Sequence, residues 1–159
     1  MSKSIRQLYR PIQPSLLHAP EDHVVYAEHV PHPALAEWIY CFWELKSMQP
    51  LQEDFCYRVV VDGCIDILVE LSHPQDNFIT GFSTSYVEFP IGQQFHYRGI
   101  RFLPGAFPLI FGIRASELTN QFFSLHDVVP DLAKLITDQL RADHSMAGSI
   151  ELLETFFLK

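Results

Sequence analysis

The stretch Arg58–Leu71, RVVVDGCIDILVEL, decides how the rest of the chain reads. Two β-prone runs, FCYRVVV and CIDILVEL, flank Asp62-Gly63. Asp-Gly in that setting predicts a two-residue hairpin, because a type I′ turn needs φ > 0 at both central positions. On this reading Val61 faces Cys64, Val59 faces Asp66, Tyr57 faces Leu68 and Phe55 faces Glu70. On the other side Val60 meets Ile65, Arg58 meets Ile67 and Cys56 meets Val69. Both faces are then mostly apolar, as for strands covered on both sides. A turn of another length reverses the parity.

Four polar residues in and beside this run, Asp62, Cys64, Asp66 and Glu70, invite a metal or catalytic reading. Metal ligands converge within about 2–2.5 Å of one point. Asp62 and Glu70 lie roughly 26 Å apart along an extended strand at 3.3 Å per residue, so they cannot share an ion. A Cys64 nucleophile needs a nearby histidine, and no motif supplies one. Asp66 is different, since an unpaired carboxylate inside an apolar strand is costly to bury. Arg101, in GIRFLP, is the mirror case. Two readings stay open: a structural ion pair or rim exposure, or side chains that project into an internal cavity and anchor a polar group of a ligand. Arginine suits a carboxylate or phosphate through its planar fork.

Outward from this stretch the pattern stays β as far as Pro104. HVVYAEHV, WIYCFWEL, NFITGF, SYVEF and QFHYRGIRFLP read as strands, and Pro33 in HPALAEW suits the first turn of a short helix. Strands at this spacing predict a sandwich or barrel. The first 22 residues, with three prolines, read as an irregular arm. Past Pro104 the period changes. GAFPLIFGIRASELTNQFF predicts two short helical pieces broken at Gly112, with Ser116 capping the second. HDVVPDLAKLITDQLRAD predicts a helix from Asp127 to Ala142 with Leu132, Leu135, Ile136 and Leu140 on one face, read as core or as core plus a dimer contact. A last helix is expected from Ser149, and its apolar end, Phe156-Phe157-Leu158, suggests a continuation or a partner surface. The expected organisation is a β region over 23–104 and a helical region over 105–159.

Composition bounds the function. At 159 residues, 48% hydrophobic and 19% charged, the chain fits one globular domain that needs no disulfide or metal to fold. Thirteen Phe, six Tyr and two Trp predict an aromatic core or pocket wall. The net charge is −8, and residues 115–159 carry three Lys or Arg against seven Asp or Glu. Nucleic-acid affinity needs clustered cations, so this chain by itself is not expected to bind DNA, RNA or an anionic membrane. Three cysteines without a CxxC, no apolar leader and no run of about 20 apolar residues point to a cytoplasmic protein with reduced thiols. The eight histidines are scattered, with none of the HxH spacing of a metal-dependent small barrel enzyme, and GxGxxG, GxxxxGK[ST] and GxSxG do not occur. No metal or cofactor is expected.

HPALAEWIYCFWEL, VVVDGCIDILVE, GIRFLPGAFPLIFGIRASELTN and FSLHDVVPDLAKLI, in this order, resemble the N-terminal domain of a group of AraC-type bacterial transcriptional regulators, over roughly residues 20–145. Val61 stands where that group has proline in its PDGC.D turn, and Leu103 where arginine is common in GVRFRPGA. The resemblance implies a small cupin-like β-barrel that senses an effector, followed by helices that can mediate homodimerisation. A separate C-terminal pair of helix-turn-helix units, not present in this sequence, would contact DNA. On that basis Trp43, Tyr57, Arg58, Asp66 and Arg101 are the expected pocket residues. Effector binding is expected to reposition the helices after Pro104 and then the Asp127–Ala142 helix. Two other classes remain: an enzyme on a cupin-like barrel, and a ligand-free dimerisation module with a packed interior.

Overall fold

The computed structural model describes residues 2–9, 23–59, 61–141 and 144–159. It is mainly β with a helical C-terminal part, as the sequence predicts. Among the described residues eight strands occur: β1 (Val24–His29), β2 (Ile39–Ser47), β3 (Cys56–Val59), β4 (Asp66–Glu70), β5 (Phe78–Thr80), β6 (Val87–Pro90), β7 (His96–Phe102) and β8 (Phe122–Ser124). Six form one sheet in the order β1-β2-β7-β4-β5-β8, and β3 and β6 form a second. All ladders are antiparallel. The larger sheet ends at β1 and β8 without closing on itself. The closed barrel is therefore corrected to two facing sheets.

The Asp62-Gly63 hairpin is also corrected. β3 pairs only with β6, whereas β4 lies between β7 and β5, so the segment crosses from one sheet to the other. Gly63 has the positive φ expected of it, 75°, but Asp62 does not, so the turn cannot be type I′. Asp62 instead turns its carboxylate back on the chain, accepting from the Cys64 N–H at 3.0 Å and from the Tyr9 hydroxyl at 2.9 Å. The expected facing pairs, Val59 with Asp66 among them, do not form; Val60 lies outside the described residues.

The larger sheet is the middle layer. One face packs Phe42, Ile67, Val69, Ile100 and Phe102 against helices, and the other packs Trp43, Leu45 and Leu68 against Tyr57 of the smaller sheet and Phe55 just before it. β4 is covered on both faces, which explains its unbroken run Ile67-Leu68-Val69. A register irregularity between Ile39 and Cys41 moves β2 from one face to the other.

The helical layer comprises α2 (Ala106–Phe111), α3 (Leu125–Val128), α4 (Pro130–Gln139) and α5 (Met146–Phe157). Gly112 ends α2 with φ 65°, as expected of a left-handed C-cap. The second piece is a 3-10 turn, Ala115–Leu118, flanked by Arg114 rather than capped by Ser116. Pro130 opens α4 at its first turn, so the helix starts there and not at Asp127, while Ala142 lies outside the described residues. α5 starts at Met146 with Ser145 as its cap, three residues before the predicted start. Phe122 and Phe123, expected as helix, instead form with Ser124 a strand beside β5.

Leu132, Ile136 and Leu140 are fully buried against the sheet, and Leu135 is partly buried. That stripe is core in the single chain, and its three buried members present no surface to a second copy. The N-terminal arm contains a short helix, α1 (Ile5–Leu8), which Arg6 ties to the start of β2 through the carbonyls of Ala36, Ile39 and Tyr40. The rest of that arm, 10–22, lies outside the described residues. No helix among the described residues is long and apolar enough to cross a membrane.

Candidate functional site

Strand alternation sets which side chains meet between the sheets. On β7, Gly99 and Arg101 point toward the smaller sheet while Arg98 and Ile100 point toward the helices. Trp43 stands opposite Gly99, and Asp66 stands opposite Arg101. Arg101 and Asp66, 6% and 5% exposed, form a forked ion pair. Nε donates to both carboxylate oxygens at 3.1 and 3.2 Å, and Nη2 donates to Oδ2 at 2.9 Å. Of the two readings left open, the side chains pair with each other.

Burial raises the Asp66 carboxyl above the ordinary carboxylate range, against the pull of Arg101. At Arg101 burial disfavours the charge, and the Asp66 carboxylate more than offsets it. The two influences oppose at Asp66, and geometry decides between them. A guanidinium does not give up its proton, so an ionised Asp66 is the partner that leaves no buried charge uncompensated.

Trp43 is 1% exposed, and its indole lies flat across β7 because Gly99 has no Cβ. Tyr26 and Tyr57 flank it, with ring centroids at 6.3 and 6.2 Å and Tyr57 nearly parallel to the indole. The indole N–H faces the Asp66 carboxylate without closing a hydrogen bond. Trp43 Nε1 is the one fully buried side-chain polar atom without a partner among the described residues. From Tyr57 an aromatic row continues through Phe89 at 5.5 Å to Phe122 at a further 5.1 Å. Phe122 lines a cavity of about 200 Å³ at the seam between β5, β8 and β6, together with Thr80, Val87 and Asn120. Thr80 stands directly across the β4–β5 ladder from Asp66, and its hydroxyl accepts from the Asp66 N–H at 3.3 Å.

Four of the five predicted pocket residues, Trp43, Tyr57, Asp66 and Arg101, therefore meet between the sheets. Arg58 does not. It lies on the outer face of β3 in an ion pair with Glu88 at 3.1 Å. The cysteines of this region are poor nucleophiles, since burial pushes the Cys41 and Cys64 thiols well above their ordinary value. No group of three or more His, Cys, Asp and Glu among the described residues is placed to hold a metal ion.

Sequence reasoning missed a second polar system, on the opposite face of the same strands. Arg98, 5% exposed, donates from Nε to Glu44 at 3.0 Å, from Nη1 to the Ser149 hydroxyl at 2.5 Å and from Nη2 to the His144 carbonyl at 2.8 Å. His96 also contacts the Glu44 carboxylate, at 2.6 Å. These bonds tie α5 and the segment before it to β2 and β7. Burial pushes the Glu44 carboxyl up, but His96 and Arg98 together hold it below its ordinary value of 4.5. A depressed carboxyl stabilises the fold above the unfolded-state value and loses that contribution as pH falls through the folded one. Hydrogen exchange of α5 amides is therefore expected to accelerate selectively as pH drops below about 4.5, relative to β4 amides corrected for intrinsic rates. Equal change in both elements would show that Glu44 does not hold α5.

The ion pair, the aromatic row from Trp43 to Phe122 and both sheets apart from the first three residues of β1 fall within residues 27–124, which match the family described as a domain of unknown function, DUF6597. The chain belongs to the DUF6597 family. The match takes in Trp43, Tyr57, Asp66 and Arg101 of the DUF6597 domain and leaves α4 and α5 outside it. No curated protein and no solved structure matches the chain.

Proposed function

We propose that this DUF6597 domain is the effector-sensing part of an AraC-type transcriptional regulator, taking a small molecule between its two sheets. The observation that carries this reading is the meeting of Trp43, Tyr57, Asp66 and Arg101 on one buried face, with an indole N–H left without an acceptor. Buried polar groups without partners are rare in packed interiors and mark places where a ligand group or a water belongs. The resemblance of HPALAEWIYCFWEL and GIRFLPGAFPLIFGIRASELTN to that group of regulators supplies the biological role.

The output route follows from strand geometry. β2 and β7 carry the pair and the indole on one face and Glu44 and Arg98 on the other. A ligand that favours one arrangement of Gly99 and Arg101 acts through the same strand on Arg98, and so on α5. Regulation requires that the ligand bind two states of the domain with different affinity. Dimerisation remains part of the proposal, through surfaces other than the buried face of α4.

The test is a thermal-shift screen of small metabolites, with each hit followed by hydrogen exchange. A regulatory ligand is expected to raise the melting temperature and to alter exchange in α5, far from the indole. Stabilisation with no response in α5 would sink the output route. Stoichiometric transition metal in purified protein would instead favour the cupin-like enzyme.

A further inference from the structure

We infer that the cavity at the seam of the two sheets binds a small, uncharged, single-ring compound that donates an O–H or N–H to the Thr80 hydroxyl. This rests on the sensing reading above and places its ligand at the edge of the space between the sheets.

Strand alternation builds the site. Thr80 and Phe122 stand opposite each other across the β5–β8 ladder, in one row with Asp66 and Arg101, so both face the smaller sheet. On β6, Glu88 turns outward to Arg58 and Phe89 turns inward to Tyr57, which puts Val87 on the inward side too. These three residues line the cavity of about 200 Å³, together with the loop that follows β5 and the residues just before β8. Backbone contacts fix its shape. The Gly81 N–H donates to the Gln121 carbonyl at 3.0 Å, and the Asn120 N–H donates to the Phe82 carbonyl at 2.6 Å. A Cβ at Gly81 would lie 1.9 Å from the Leu118 carbonyl oxygen, so this approach requires glycine. Asn120, at φ 56°, accepts from the Thr84 N–H at 2.9 Å. A site formed in advance costs a ligand less ordering on binding.

A count of hydrogens and lone pairs gives the polarity. Thr80 is 5% exposed. Its hydroxyl donates its one hydrogen to the Asp66 carbonyl at 3.4 Å and accepts from the Asp66 N–H at 3.3 Å. One lone pair and no hydrogen remain, so a ligand engages this oxygen only with a donor. Charge narrows the class further. No residue lining the cavity is ionisable, whereas the cavity beside α4 is lined by His126, Asp131, Lys134 and Asp138. Asp66 and Arg101, in the row behind Thr80, already neutralise each other. A carboxylate or ammonium entering the seam would lose water without gaining a counter-ion. The volume is below the roughly 300–1,000 Å³ of drug-sized pockets, which suits one ring. Phe122, half exposed, and Val87 give that ring an apolar wall.

Phenol, anisole and benzoate test this on one ring: the first is a neutral donor, the second has no donor, and the third is charged. Titration of the protein with phenol is expected to shift the Thr80 and Val87 methyl resonances saturably. Anisole is expected to bind about fivefold more weakly, the contribution of one net hydrogen bond, and benzoate at least tenfold more weakly. Thr80→Val keeps the shape and removes the hydroxyl. It is expected to lower phenol to the affinity of anisole and to leave anisole unchanged, with the Val87 methyl as the reporter. Where that variant does not fold, the wild-type order of the three probes decides alone. Anisole binding as tightly as phenol would overturn the part given to Thr80, and benzoate binding as tightly would overturn the uncharged class. Phenol that leaves Thr80 and Val87 unmoved would overturn the site itself. The sensing reading fails separately, if the metabolite screen gives no ligand that alters exchange in α5.

Discussion

Arg101→Met is expected to destabilise the domain by about 3–5 kcal/mol, because it leaves the Asp66 carboxylate buried without its counter-ion. Urea unfolding reads this as a lower midpoint at an unchanged slope. The double variant Asp66→Leu/Arg101→Met should recover most of the loss. Replacing a whole buried ion pair by apolar side chains of similar size is often neutral or better, whereas removing one partner is not. The two results together separate the cost of an orphaned charge from the worth of the pair. A single variant as stable as the wild type would mean that Asp66 reaches water, and the site would then be an open rim.

The second large effect belongs to a glycine. A Cβ at Gly99 would stand 2.2 Å from Cε2 and Cζ2 of Trp43 and 2.6 Å from Nε1, with ring atoms and not a flexible tip in the way. The indole cannot slide aside, since Tyr26 and Tyr57 flank it and the side chain is fully buried. Gly99→Ala is therefore expected to cost about 3 kcal/mol, the upper end of ordinary overpacking, and to abolish the near-ultraviolet circular dichroism of the buried indole. Adding Trp43→Leu to Gly99→Ala should restore part of the stability, because the two sites are in contact and their effects do not add. A fully additive double variant would place the indole elsewhere than across β7.

Much of this architecture was legible in the sequence, and the reasons are local. Alternation and β-branched runs marked β1, β2, β4 and β7, and the αL requirement at Gly112 marked the end of α2. Asp66 and Arg101 stood out because charge inside an apolar run has to be compensated. What failed was connectivity. Asp-Gly offered a hairpin, but only Gly63 adopts a positive φ, and the Asp62 carboxylate makes a different turn with Cys64 and Tyr9. Tyr9 is 53 residues away from Asp62, so no local pattern announces it. β8 escaped notice because three residues, Phe122–Ser124, are too few for a period to show. Glu44, His96 and Arg98 sit at alternate positions of their strands, where alternation alone gives no sign that they are buried. The signal that could have found them is opposite charge at matching alternate positions of two strands that are otherwise apolar.

The leucine stripe of α4 was read correctly as a face, but its two candidate occupants, the chain's own sheet and a second copy, give the same periodicity. Only the three-dimensional arrangement chooses, and Leu132, Ile136 and Leu140 go to the sheet.

That helical layer bears on where the domain can be cut. The family match stops at residue 124, yet Leu132, Ile136, Leu140 and Leu153 cover Ile67, Ile100 and Phe102 on the middle sheet. A fragment trimmed to the matched boundary would bare an oily sheet face and sever Arg98 from Ser149. The matched segment is thus shorter than the unit that packs together, and an expression boundary for this chain belongs after α5.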